Sequence, residues 1–149
     1  LYGLGGNDRL VGSAFADLLD GGANNDTLIG GAGPDTLNGG WGNDMVSYET
    51  ATGPVGVDLL DSDFGYGDAA GDLILMVEGV IGSPHDDDIR GGEIRETLDG
   101  GAGHDRISGR GGDDIIRGAD GIDTIDGGAG ADRIDGGAGV VHEEVERAE

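Results

Sequence analysis

The chain contains no cysteine and only three prolines, and aromatic residues make up just 4% of its 149 residues. Without cysteine it has neither a disulfide scaffold nor any Cys-ligated zinc or iron–sulfur site. Positive charge is also scarce: 8 Lys and Arg stand against 31 Asp and Glu, giving a net charge of -23. Such a surface repels nucleic acid and anionic membranes, and neither is expected as a partner. No apolar run approaches the roughly 20 residues that span a bilayer as a helix. No basic segment followed by an apolar one marks a signal peptide. The length fits one domain. The sequence opens on Leu1 rather than Met, as a piece of a longer protein would.

What the chain has in excess is acid and glycine, with 35 glycines. Composition of this kind, taken alone, reads as disorder. Strict periodicity is the exception to that rule, so internal repeats decide the matter.

Divided into nines, the chain shows two blocks. The first holds repeats at 3–11, 12–20, 21–29, 30–38 and 39–47. The second holds 82–90, 91–99, 100–108, 109–117, 118–126 and 127–135, and a twelfth repeat begins at Gly136 and loses the pattern. Position 1 is Gly in all eleven complete repeats. Position 8 is aliphatic throughout: Leu10, Leu19, Leu28, Leu37, Val46, Ile89, Leu98, Ile107, Ile116, Ile125 and Ile134. Position 6 is acidic throughout: Asp8, Asp17, Asp26, Asp35, Asp44, Asp87, Glu96, Asp105, Asp114, Asp123 and Asp132. Position 4 is Gly except at Phe15, Asn24, His85 and Ile94. A solvated acidic linker does not fix three chemically different columns at once.

The unit has a readable physics. Glycines at positions 1, 2 and 4 permit positive φ and a tight turn. Positions 7 to 9 place one aliphatic side chain between two mostly polar ones, the pattern of a very short strand with one residue inward. Three-residue strands gain stability only by stacking on copies of themselves. Two repeats per coil put turns on both edges and strands on both faces, with the aliphatic columns meeting in a thin core. The fold class is therefore all-β, a parallel roll.

Stacked coils lie about 4.8 Å apart, so position-6 carboxylates two repeats apart become neighbours. At about 5 Å, two unit charges repel by roughly 3 kcal/mol at an effective dielectric near 20. A hard divalent cation between successive turns reverses that sign. Carboxylates plus the carbonyls of glycine-rich turns form an adaptable oxygen cage, which suits calcium better than magnesium.

The repeats GGAGPDTLN at 30–38, GGWGNDMVS at 39–47, GGAGHDRIS at 100–108 and GGAGADRID at 127–135 resemble the RTX (hemolysin-type) calcium-binding nonapeptide. The resemblance covers about two-thirds of the chain. It implies a right-handed parallel β-roll with calcium between turns i and i+2 on one edge. In that family the ligands are the position-6 carboxylates and carbonyls near positions 2 and 4. Carried over, those carbonyls belong to Gly22, Gly31, Gly33, Gly40, Gly42, Gly101, Gly103, Gly112, Gly121, Gly128 and Gly130. The acid pairs are Asp8–Asp26, Asp26–Asp44, Asp17–Asp35, Asp87–Asp105, Asp105–Asp123, Glu96–Asp114 and Asp114–Asp132, which sets a ceiling of seven ions. Seven divalent ions would bring the net charge to about -9, ordinary for a soluble domain.

Three turns depart from the motif. Repeat 12–20 lacks Gly at positions 2 and 4, repeat 82–90 has Ser83 and His85 there, and repeat 91–99 has Ile94 and Glu96. These turns are expected to bind weakly or to act as caps. The strongest pairs are expected to be Asp26–Asp44, Asp105–Asp123 and Asp114–Asp132.

One continuous solenoid is expected, with a first block at 1–47, a widened connector rung at 48–81, a second block at 82–139 and a tail at 140–149 that leaves the repeat as a short helix or frayed end. In the connector, Val55, Val57 and Leu59 alternate as a half-buried strand. Residues 67–75 form a faint nonamer with Asp72 at position 6, a further candidate ligand. Trp41, Tyr48, Phe64 and Tyr66 are expected to cluster over this rung. Asp61–Tyr66 is not an EF-hand loop, because Tyr66 stands where that loop needs Gly. The HEEVE run from His142 lacks a zincin's second His. His85, His104, Asp86 and Asp88 are expected to be solvated.

No nucleophile–base pairing is visible, so this segment is not read as an enzyme. The resemblance implies a secreted, extracellular bacterial module, exported by a type I system and folding on calcium. The alternatives are the C-terminal repeat tail of a larger secreted protease, lipase or epimerase, and an adhesive or ice-binding roll. The ice-binding alternative is disfavoured by the mixed residues at position 7.

Overall fold

In the computed structural model, residues 1–139 and 142–144 are described. The chain winds into a β-solenoid of about seven coils whose paired strands are all parallel. Among the described residues there is no α-helix, only a single 3-10 turn at Gly67–Ala69.

Every complete repeat forms its strand at positions 7 to 9, as at Arg9–Val11, Thr27–Ile29 and Arg106–Ser108. Two repeats make one coil, so within each block a strand pairs with the strand 18 residues away: Leu10 faces Leu28, and Ile107 faces Ile125. Position 8 points inward. Leu19, Leu28, Leu37, Val46, Ile89, Leu98, Ile116 and Ile125 are completely buried, while Leu10 and Ile134 close the ends half-covered. Each fully buried aliphatic side chain contributes roughly 1.5–3 kcal/mol. The core is thus one residue wide on each face.

The two faces differ. One is a single seven-stranded sheet that runs unbroken through both blocks, with Gly79–Ile81 bridging Met45–Ser47 and Thr97–Asp99. The other splits into a three-stranded and a five-stranded sheet. Residues 48–81 cause the split. They add two strands to this face, Gly56–Asp58 and Leu73–Leu75, in reversed spatial order. The later strand, Leu73–Leu75, stacks on the first block, and the earlier one, Gly56–Asp58, stacks on the second. The connector therefore continues the roll, but it is not one wide rung. Each block receives its own closing strand.

Two further expectations are corrected. Among the aromatics, Phe64 and Tyr66 pack edge to face and Arg90 lies over the Phe64 ring. Tyr48 is buried in the core, and Trp41 stands 84% exposed outside the cluster. The tail does not leave the repeat at once. His142–Glu144 forms a strand in register with Thr124–Asp126. Its backbone pairs although Glu143 occupies the aliphatic position. The rest of the tail reading, at 140, 141 and 145–149, lies outside the described residues.

Candidate metal centre

The position-6 acids line the two edges of the roll. Asp26, Asp35, Asp44, Asp87, Glu96, Asp105, Asp114 and Asp123 are all buried. Six of them share one contact, in which the backbone N–H of an acid donates to one carboxylate oxygen of the acid one coil further on; Asp87 instead accepts the Val55 N–H at 2.8 Å and Glu96 the Ile94 N–H of its own turn at 3.3 Å. Asp8 donates to Asp26 at 2.8 Å, Asp26 to Asp44 at 2.8 Å and Asp17 to Asp35 at 2.9 Å. In the second block Asp87 donates to Asp105, Asp105 to Asp123, Glu96 to Asp114 and Asp114 to Asp132, at 2.8–3.0 Å. All seven expected pairs are therefore brought together.

The second oxygen is different. Oδ2 of Asp8, Asp26, Asp35, Asp44, Asp105, Asp114 and Asp123, and Oε2 of Glu96, are buried with no hydrogen-bond partner. A buried carboxylate oxygen without a partner carries a large desolvation penalty. The titration behaviour reflects it. Burial raises Asp35, Asp44 and Asp114, and it lifts Asp105 from 3.8 to about 7. Burial and the neighbouring Asp114 charge lift Glu96 to about 7. The donor set is incomplete without a cation.

The turns present backbone carbonyls toward the neighbouring coil. All eleven glycines expected to offer carbonyls have positive φ, from Gly128 at 84° to Gly42 at 156°. That conformation aims each turn's carbonyls at the next turn. A Cβ on Gly40 would collide with the Gly22 carbonyl oxygen, and one on Gly128 with that of Arg110. The φ values matter more than the residue type, because Leu4, Asn24, Arg110 and Ala119 adopt the same left-handed state at positions 2 and 4. Each non-glycine there costs on the order of 1 kcal/mol.

Position 1 is glycine for another reason. None of these glycines has positive φ. Instead, the position-6 carboxylate folds back over it: a Cβ on Gly3 would lie 2.7 Å from Asp8 Oδ2, and one on Gly127 would lie 2.6 Å from Asp132 Oδ2. The position-1 column keeps room for that carboxylate and for a carbonyl of the neighbouring coil, which a Cβ on Gly3 would meet at 2.5 Å and one on Gly91 at 2.8 Å.

No group of three or more His, Cys, Asp or Glu that could hold a metal occurs among the described residues. The carboxylates come in pairs, so a bound ion must draw on carbonyls. Hard oxygen donors alone, in a flexible cage, fit calcium. A family profile described as the RTX calcium-binding nonapeptide repeat (4 copies) matches residues 2–37, 20–49, 81–115, 90–125 and 108–140. The chain belongs to this family. It is a calcium-binding repeat module built as a β-solenoid. No curated protein matches it.

Sequence reading missed two features of the RTX turns. Glu78 stands in the acid column, where its carboxylate accepts the Asp44 N–H at 2.9 Å. Its signal was the spacing acid-x-aliphatic into Val80. It was hidden because the turn before Gly79–Ile81 has three residues, not six. Position 5 also forms a ladder, running in the opposite direction. Asn7 accepts the Asn25 N–H, Asn25 that of Asn43, Asp86 that of His104, His104 (through Nδ1) that of Ile122, and Asp113 that of Ala131. Asp86 and His104 are thus stitched to neighbouring coils. Asp88 pairs with Arg90 at 3.0 Å.

Three acids have their second oxygen satisfied without any ion. Asp72, the expected extra ligand, accepts the Asp35 N–H on one oxygen and the buried Tyr48 hydroxyl on the other, at 2.8 Å. Burial raises it to about 6. Asp17 and Asp87 are held by serines of their own turns.

Proposed function

We propose that this RTX module is secreted and folds on binding calcium outside the cell. The observation that carries the reading is the row of eight buried carboxylate oxygens without partners. In a calcium-poor cytosol those oxygens oppose stacking, and the thin core offers little to offset them. Calcium, when bound, supplies the positive charge that the row lacks. Asp26, Asp44, Asp105, Asp114 and Asp123 would hold it, with the carbonyls of the left-handed turns. Extracellular sites of this donor type have dissociation constants on the order of 10⁻⁴–10⁻³ M, so the calcium difference across the cell envelope sets the folded fraction. An unfolded passenger suits export by a type I system.

The module is assigned binding and folding rather than catalysis. Its carboxylates are spaced one coil apart and are each tied to backbone. In a longer protein it would act as a calcium-dependent folding aid for what it is joined to.

The test is circular dichroism during a calcium titration, with EDTA reversal and a magnesium control. Calcium should bring a cooperative gain of β-structure that EDTA reverses and equal magnesium does not produce. Full β-structure in EDTA would refute coupled folding.

A further inference from the structure

Each block opens, on the same edge, with the same short motif: Gly-Ser-x-x-x-Asp at 12–17 and again at 82–87. In both turns the serine makes the same three contacts. The Ser83 N–H donates to Asp87 Oδ2 at 2.6 Å, its hydroxyl donates to Asp87 Oδ1 at 2.7 Å, and its Oγ accepts the His85 N–H at 3.1 Å. The Ser13 N–H and hydroxyl both donate to Asp17 Oδ2, at 2.7 and 2.8 Å, and its Oγ accepts the Phe15 N–H at 3.3 Å.

The backbone explains why turns with a left-handed position 2 do not do this; Gly92 lacks positive φ, but the Glu96 of its turn still keeps Oε2 without a partner. At Gly22, Gly31, Gly101 and Gly128, position 2 has positive φ, and no position-2 N–H in those turns reaches the turn's own carboxylate. Ser13 and Ser83 do not have positive φ. Their peptide N–H points inward instead, so a donor occupies the space that faces a cation in the other turns. A donor-lined turn satisfies its carboxylate and repels a metal.

We propose that Ser13 and Ser83 decide where the calcium ladder stops. They make the first turn of this edge in each block independent of metal, so the pairs Asp17–Asp35 and Asp87–Asp105 hold no ion. The wild-type stoichiometry is then five, from Asp8–Asp26, Asp26–Asp44, Glu96–Asp114, Asp105–Asp123 and Asp114–Asp132, and of the eight acids with a partnerless oxygen Asp35 alone stays outside the ladder. On this edge each block begins from a turn that closes on its own hydrogen bonds; in the second block the ion-holding pair Asp105–Asp123 follows it, and in the first block this edge holds no ion. This inference rests on the calcium reading above.

The experiment counts calcium bound per chain, by equilibrium dialysis at saturating calcium, in the whole chain and in three variants. Asp87→Asn and Asp17→Asn should bind as many ions as wild type, while Asp123→Asn should lose one. Loss of an ion in either of the first two overturns this inference alone. Absence of calcium uptake by the wild type overturns the calcium reading itself, and this inference with it. Asp17 sits on an exposed turn, so its variant keeps the test open if Asp87→Asn fails to fold. For the hydroxyl, Ser83→Ala should lower the thermal midpoint at saturating calcium, and Ser83→Thr should restore it. An unchanged midpoint in Ser83→Ala removes the role given to that side chain.

Discussion

The glycine turns and the turns of the connector and block openings solve one problem in opposite ways. Both fold an acid back into the edge of the roll. At Asp26, Asp44, Asp105, Asp114 and Asp123 one oxygen is left without a partner. At Asp17, Asp72 and Asp87 a serine or tyrosine takes that place. The connector goes further and takes its cations from the second block. Asp58, whose side chain is 2% exposed, is gripped by both terminal nitrogens of Arg110, and Arg90 stands 4.0 Å away. The difference teaches that the roll has two kinds of stability. One kind, on the proposed reading, depends on calcium and runs along the glycine turns. The other is built into the chain and sits where the blocks begin and where they meet.

The sharpest way to break the comparison is to remove an acid of each kind. Asp114 serves two pairs, Glu96–Asp114 and Asp114–Asp132. Asp114→Ala should cost up to two ions and raise the calcium midpoint of folding several-fold. Asp17→Ala should cost far less in calcium dependence, because Ser13 already satisfies that carboxylate. Equal losses of stoichiometry, read by equilibrium dialysis, would erase the distinction between the turns.

Acidity offers a second separation. Asp105 and Glu96 have folded-state values near 7, above the ordinary 3.8 and 4.5. A raised carboxyl binds its proton more tightly in the folded state than in the unfolded one. The metal-free roll therefore gains stability as pH falls from about 7 toward 4, and the full penalty stands above 7. The same protons compete with calcium. The calcium midpoint followed by circular dichroism should rise as pH drops below 7, while residual β-structure in EDTA increases. A midpoint independent of pH between 5 and 8 would contradict the partnerless state of these carboxyls.

Most of this architecture was legible because the repeat fixes chemistry at three columns. Leu28, Ile107 and Ile116 could be placed inward from position alone, and Asp105 could be paired with Asp123, because 18 residues make one coil. Legibility failed where the count changes. Glu78 was hidden by a three-residue turn. The strands Gly56–Asp58 and Leu73–Leu75 exchange their spatial order, which no local pattern encodes. His142–Glu144 pairs through backbone without an aliphatic residue to announce it. The glycine columns were read correctly in place but for one wrong reason: position 1 needs room for a carboxylate and a neighbouring coil's carbonyl, not positive φ.

Within the built-in part, the Arg110–Asp58 grip should matter most. Arg110→Ala leaves Asp58 buried beside Arg90 alone and should cost about 2 kcal/mol. The figure is at the modest end for a charged contact, because the Arg110 side chain is 29% exposed and solvent screens it. The loss should appear as a lower thermal midpoint at saturating calcium with the number of bound ions unchanged. Tyr48→Phe is a smaller lesion of the same type. It strips Asp72 of its hydroxyl partner and should cost about 1 kcal/mol. A fall in calcium stoichiometry in either variant would show that the junction belongs to the ladder after all.

The smallest effect should come from the pair Arg9–Glu49, which joins the first coil to the start of the connector at 2.8 Å. It has the geometry of a strong contact, but its side chains are 56% and 49% exposed. Water screens both charges, and two long side chains lose freedom in meeting, so such pairs contribute roughly 0–1 kcal/mol. Glu49→Gln should shift the thermal midpoint at saturating calcium by less than Tyr48→Phe does. Raising the salt concentration should shrink even that difference, because exposed pairs are screened and buried ones are not. If Glu49→Gln instead destabilised the chain as much as Arg110→Ala, burial would not be what separates the junction from the surface, and the built-in stability would have to be assigned to charge pairing anywhere along the roll.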